Sequence, residues 1–119
     1  MFYTFHIDKY QYEVYIMANK KMTLAQVAEI CKALGDNNRL QIVELLTHGE
    51  LCACKLLEQF NITQPTLSHH MKVLAECNLI TTHKDGKWCY YSLNCPVFKE
   101  FRTFIGGLCC ENTTGCRCK

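Results

Sequence analysis

The chain reads as mainly α with a β-hairpin: a winged helix-turn-helix, homodimeric through its first and last helices. Three observations predict this. Two amphipathic segments are joined by the three-residue turn Asn61-Ile62-Thr63, and two β-rich runs separated by Asp85-Gly86 come directly after them. A closing segment from Pro96 then carries an aromatic stripe that the remaining residues are too few to cover. With 119 residues and 49% hydrophobic content, the chain is expected to form one small folded domain.

Each element has its own signal. Residues 1–20 are rich in Tyr and Phe without a clean period and read as an N-terminal arm of uncertain structure. From Leu24 the apolar residues Leu24, Val27, Ala28, Cys31 and Leu34 recur at helical spacing, and Gly35 closes that helix. Asp36 is placed to cap a second helix with the stripe Leu40, Val43 and Leu46, ended by His48-Gly49. A third helix is predicted over 51–60, with Leu56, Leu57 and Phe60 inward. Thr63 caps a fourth, Pro65 fits its first turn, and Ile62 and Leu67 stand at the positions of a hydrophobic staple. That helix runs to about Cys77, with Asn78 suited to a left-handed end. Strands over 80–84 and 87–93 flank Asp85-Gly86, a favoured hairpin turn because both residues tolerate positive φ. The fifth helix carries Val97, Phe98, Phe101, Phe104, Ile105 and Leu108 on one stripe, and Gly106-Gly107 should fray it. Residues 21–108 thus form the DNA-binding and dimerisation domain, and 109–119 a cysteine-rich tail.

Helical phase selects the residues that would meet DNA. Leu67, Met71 and Leu74 face the core, which turns Gln64, Ser68, His69 and Lys72 outward, with Thr66 in the first turn beside them. Gln can pair with an adenine edge, while Ser and neutral His can donate or accept in the major groove. Lys72, Lys84 and Lys87 suit phosphates, which position a protein without reading sequence. The alternative for this face is plain solvated surface. His70 falls near the buried edge, and His6, His48 and His83 are expected at the surface. Net charge is only +2, which permits DNA binding without arguing for it. The N-terminal residues lack the apolar run of an export signal, and no stretch reaches membrane-spanning length. A cytoplasmic, reducing setting is therefore expected, where closely spaced thiols bind soft ions more often than they form disulfides.

The run ELCAC from Glu50, then QPTLSHHMKVL from Gln64, then DGKWCYYSL from Asp85 resembles the ArsR/SmtB family of arsenic-sensing repressors. The similarity covers roughly residues 24–108, with several motifs in the right order. It implies a homodimeric repressor that occupies operator DNA until a metal or metalloid binds, and that controls arsenic-resistance genes.

Two thiol groups are candidates for that ligand. Residues 109–119 hold four of the ten cysteines, and Cys109-Cys110-x5-Cys116 resembles the terminal trio of one arsenic- and antimony-sensing branch. Three thiolates around As(III) or Sb(III) make a pyramid with the lone pair in the fourth direction; Cys118 is either a spare or a fourth sulfur for Zn(II) or Cd(II). The other group, Cys52 and Cys54, occupies the family's ELCxC position, but Leu57 stands where several relatives carry a third cysteine. On an ideal helix residues i and i+2 lie about 200° apart, so these thiols diverge and read as small core residues unless the helix start is distorted. Zinc sensors of the family use His and acidic residues on the fifth helix, where this chain has Glu100 and no His. A cadmium or lead site would want cysteines from the arm, and none precedes Cys31. The remaining alternatives are a divalent-metal repressor of the same fold, a metal-buffering protein and a thiol redox enzyme. Against the enzyme, the chain lacks a Gly-rich phosphate loop and a paired acid/base set.

Overall fold

The computed structural model describes residues 22–109; the arm expected at 1–20, and Cys110, Cys116 and Cys118, lie outside the described residues. Helix α1 (Leu24–Leu34) starts at a reciprocal cap. The Gln26 N–H donates to the Thr23 hydroxyl at 3.1 Å, and the Thr23 N–H donates to Gln26 Oε1 at 2.8 Å. Asp36 then caps α2 (Asn37–Leu46), its carboxylate accepting the N–H groups of Asn38 and Arg39 at 2.9 and 3.1 Å. Gly49, at φ +130, turns the chain out of α2, a conformation that other residues rarely adopt.

The segment after Gly49 departs from the predicted third helix. Leu51–Cys52 is a short strand, β1, and the helix α3 covers only Ala53–Glu58. After α4 (Gln64–Glu76) come β2 (Ile80–Asp85) and β3 (Trp88–Leu93), and α5 (Cys95–Gly106) closes the order. The sheet order is β1-β3-β2, fully antiparallel, with Leu51 opposite Tyr91, Cys52 opposite Tyr90, and Tyr90 in turn opposite His83. The physical reason is non-local: the outer edge of β3 offers backbone groups that a helix from Leu51 would leave unpaired. The hairpin turn is also displaced by one residue. Asp85 pairs with Trp88, so the loop is Gly86-Lys87, and only Gly86 has positive φ (+62). Glycine alone at the first central position supplies the required twist.

The buried faces of α1 and α2 are rotated from those predicted. In α1 the core takes Val27, Ile30 and Ala33, whereas Leu24, Ala28 and Cys31 are exposed. In α2 Ile42, Val43 and Leu46 are buried and Leu40 is 51% exposed. Both helices carry more apolar residues than one stripe needs, so periodicity admits two phases and packing selects one. The core they join contains Leu56 of α3, Leu67, Met71 and Leu74 of α4, Leu79, Ile80 and Val97. Phe98, Phe101 and Phe104 of α5 pack on it half-buried, leaving Ile105 and Leu108 exposed near the helix end. That helix ends at Gly106, as the glycine pair predicts.

The rotated phase of α2 has a direct test. Ile42→Ala should cost about 2–5 kcal/mol of unfolding free energy and Leu40→Ala about 0.5 kcal/mol or less, by chemical denaturation at one protein concentration. Equal losses at the two positions would return the helix to the other phase.

Candidate nucleic-acid interface and thiol pair

Helix α4 is built to present one face and bury the other. Thr63 caps it by accepting the Thr66 N–H at 3.3 Å, with Pro65 in the first turn. At the far end Asn78 takes φ +62, and the N–H of Leu79 donates to the Leu74 carbonyl at 3.0 Å. This left-handed stop frees the chain to start β2 at once, so the wing is held against α4. Leu67, His70, Met71 and Leu74 are buried, and Gln64, Thr66, Ser68, His69 and Lys72 are exposed together on the opposite side. The Thr66 hydroxyl is engaged with that of Thr63 at 2.9 Å; the other side-chain groups of the face are presented outward.

His70 shows why the face is oriented as it is. Its Nδ1 lies 3.2 Å from Arg39 Nη1, while Arg39 Nε donates to the Ala33 carbonyl at 2.7 Å. A guanidinium only donates, so His70 Nδ1 accepts and its ring is neutral with the proton on Nε2. One arginine thereby ties the end of α1 and the start of α2 to the middle of α4. Sequence periodicity placed His70 at the buried edge but gave no hint of Arg39, because the two are brought together only by packing.

The wing supplies the flanking cations. Lys84 and Lys87 are both exposed, and Lys87 Nζ lies 5.5 Å from the ring centroid of Trp88, itself 47% exposed at the tip. His83 is a surface residue as expected. Its Nδ1 meets Glu50 Oε2 at 2.9 Å and its ring stacks on Tyr90, with centroids 5.1 Å apart.

The thiols of Cys52 and Cys54 do not diverge. Cys52 precedes α3 with extended backbone (φ −81, ψ 159), and the two Sγ atoms are 2.8 Å apart. Cys54 is exposed and Cys52 partly so, which corrects the expectation of small core residues. The contact splits their acidities: the Cys54 thiol holds Cys52 below the ordinary thiol range, and the same contact raises Cys54. A close thiol pair is a donor set suited to soft, thiophilic ions. Among the described residues no three His, Cys, Asp or Glu side chains converge as a metal site, so this pair stands as a dithiol. Cys109 is exposed just beyond α5, at the head of the predicted trio.

Residues 36–82 match the family described as "Bacterial regulatory protein, arsR family". The chain is 46% identical over 97 residues to the arsenical resistance operon repressor of Staphylococcus aureus, covering 82% of this chain and 90% of that protein. It is 48% identical over 101 residues to the repressor of the same name from Staphylococcus xylosus, covering 82% and 93%. The chain belongs to the arsR family. Its fold also matches the homodimeric winged helix-turn-helix DNA-binding domain of a possible ArsR-family regulator from Mycobacterium bovis. There the TM-score is 0.60 at 28% identity, covering 70% of this chain and 78% of that one.

An arsR-family chain of this kind is a DNA-binding transcriptional repressor and not an enzyme. No helix among the described residues is long and apolar enough to cross a membrane. One feature of this fold was not legible in the sequence. Cys54, Leu57, Leu67, Trp88, Cys89 and Tyr91 line a groove of about 290 Å³ between α3, the start of α4 and the wing. Burial and the neighbouring Cys89 thiol push the Tyr91 phenol up to about 12, so it stays neutral. Strand β3, which contributes Trp88, Cys89 and Tyr91 to this groove, is paired on its other side by the unforeseen β1.

The His70 contact makes a pH prediction. Burial holds its pKa below the ordinary 6.5, with the nearby Arg39 and His69 charges adding to this and Asp36 opposing it. The unfolded chain therefore binds more protons than the folded one just below pH 6.5. Stability should be unaffected by this group above that pH and should fall as pH drops through it. His70→Leu should flatten that part of the pH dependence, followed by denaturation midpoints between about pH 7.5 and about pH 5. An unchanged profile would mean that His70 titrates normally.

Proposed function

We propose that the protein is a homodimeric, cytoplasmic repressor that leaves its operator when As(III) or Sb(III) binds cysteine thiolates, so controlling arsenic-resistance genes. The observation that carries this reading is the polar face that α4 presents outward, in a chain whose last eleven residues hold four cysteines. The names of the two staphylococcal relatives support the arsenical assignment. Exposed apolar residues near the start of α1 and the end of α5, Leu24, Ile105 and Leu108, support a twofold partner on that side.

On DNA, Gln64, Thr66, Ser68 and His69 enter the major groove, and Lys72, Lys84 and Lys87 take phosphates. For the inducer, Cys109, Cys110 and Cys116 supply three sulfurs from one segment, the number that a pyramidal trivalent metalloid fills. Their place after the dimer helix α5 links capture to the spacing of the two recognition helices. A coupling of about 1–3 kcal/mol is enough to weaken operator binding several-fold or more. A divalent soft-metal repressor is the alternative, with Cys118 as a fourth sulfur.

Operator binding followed by fluorescence anisotropy, titrated with arsenite, antimonite, cadmium and zinc under reducing conditions, tests the assignment. Release by near-stoichiometric arsenite or antimonite is expected, and release by cadmium or zinc alone would make this a divalent-metal sensor. Cys109→Ser, Cys110→Ser and Cys116→Ser should each blunt the arsenite response. Loss only in Cys52→Ser and Cys54→Ser would move the site to the α3 pair. Ser68→Ala or His69→Ala should weaken specific binding by about 1–3 kcal/mol, and each of Lys84→Ala and Lys87→Ala should lower the salt slope by about 1. Unchanged affinity in both α4 variants would overturn the chosen face.

A further inference from the structure

We infer that the groove between the wing and the start of α4 seats one sugar–phosphate strand of operator DNA, and that Trp88 is a DNA-contact residue whose indole packs on that strand. The inference rests on the reading that α4 enters the major groove, and it adds an uncharged contact to the lysines placed on phosphates.

Placement is the first argument. Trp88 opens β3 opposite Asp85, directly after the Gly86-Lys87 loop, so it stands at the wing tip, 47% exposed. A single exposed apolar residue is ordinary on a protein surface. What sets Trp88 apart is its company. It shares a groove of about 290 Å³ with Gln64 and Ser68 from the exposed face of α4, and with Lys87 from its own loop. Wing tip and polar helix face are thus two banks of one cleft. A duplex leaves little choice of what enters it. The major groove, about 12 Å wide, admits one helix and is bounded on either side by a sugar–phosphate strand. With α4 in that groove, a hairpin on the flank of the same helix meets the bounding strand.

Chemistry is the second argument. Among the described residues that line the groove there is no carboxylate, and its one charged group is the Lys87 ammonium, so its electrostatics suit a polyanion. The Gln64 amide, the Ser68 hydroxyl and the indole N–H all donate to phosphate oxygens. Cys54 and Cys89 also line the groove and contribute weak S–H donors. Lys87 Nζ lies 5.5 Å from the Trp88 ring centroid, which sets an ammonium beside an aromatic face. A nucleic-acid strand alternates in the same way, a phosphate for the ammonium and a deoxyribose whose carbons cover the ring. Because that backbone is the same in every sequence, the contact adds affinity without reading bases.

Trp88 is the chain's only tryptophan, so the full-length protein carries its own reporter. Under reducing conditions its emission should be quenched or shifted by an operator duplex, and by a scrambled duplex to the same extent at higher concentration. Trp88→Ala should weaken binding to both duplexes by the same factor, about tenfold for two wings on one operator. The slope of log affinity against log salt should stay unchanged, because an uncharged contact releases no counterion. Trp88→Phe keeps a ring against the sugar and should bind within about threefold of the parent. Emission unchanged at saturating duplex, unaltered affinity in Trp88→Ala, or a loss confined to the operator would each overturn the contact. So would a salt slope lowered as in Lys87→Ala, since Trp88 would then act only by holding that lysine. Emission is read on the unsubstituted protein, so unfolding of Trp88→Ala leaves the test in force. If Ser68→Ala and His69→Ala weaken operator binding while Trp88→Ala does not, this contact falls and α4 stands. If none of the three alters it, the α4 reading falls as well.

Discussion

The short pairing of β1 with β3 is the constraint on which the functional end of the molecule depends. Two residues, Leu51 and Cys52, stay extended to meet Tyr91 and Tyr90, and α3 can begin only at Ala53. Because Cys52 is outside the helix, its sulfur is not carried about 200° away from that of Cys54 and the two meet. The same pairing fixes the wing against α3, which closes the groove between Leu57, Leu67 and Trp88. Strand order, thiol geometry and groove are thus consequences of one backbone contact.

A second tie sets the exposed polar face of α4. Asp36 holds the first turn of α2 through two backbone N–H groups, which places Arg39 to reach both the Ala33 carbonyl and the His70 ring. These bonds span α1, α2 and α4, so the rotation of α4 is specified by polar geometry as well as by burial of Leu67, Met71 and Leu74. With that rotation fixed, Ser68, His69 and Lys72 are presented together on the outside. The left-handed Asn78 then delivers the wing lysines to the same end of the molecule.

The cysteines divide by chemistry. A trio in one segment offers three sulfurs to an ion that fills three positions. The pair at the β1–α3 junction offers two sulfurs already in contact. Softness of the donors favours thiophilic ions in both cases.

Local signals in the sequence determined the caps at Asp36 and Thr63, the left-handed stop at Asn78, the end of α5 at Gly106 and the exposed side of α4. Each depends on residues within one or two turns, where side-chain hydrogen bonds and glycine's freedom act without help from the rest of the fold. The ordered motifs also determined the family. Only the tertiary structure decided the buried faces of α1 and α2, since each carries two apolar stripes and packing chooses between them. It alone placed Gly86 rather than Asp85 at the start of the turn, and it alone replaced the first residues of a helix with a strand. Cys52 and Cys54 are the sharpest case. Their spacing says they part on a helix, and they meet because a strand nearly forty residues later needs a partner for its edge.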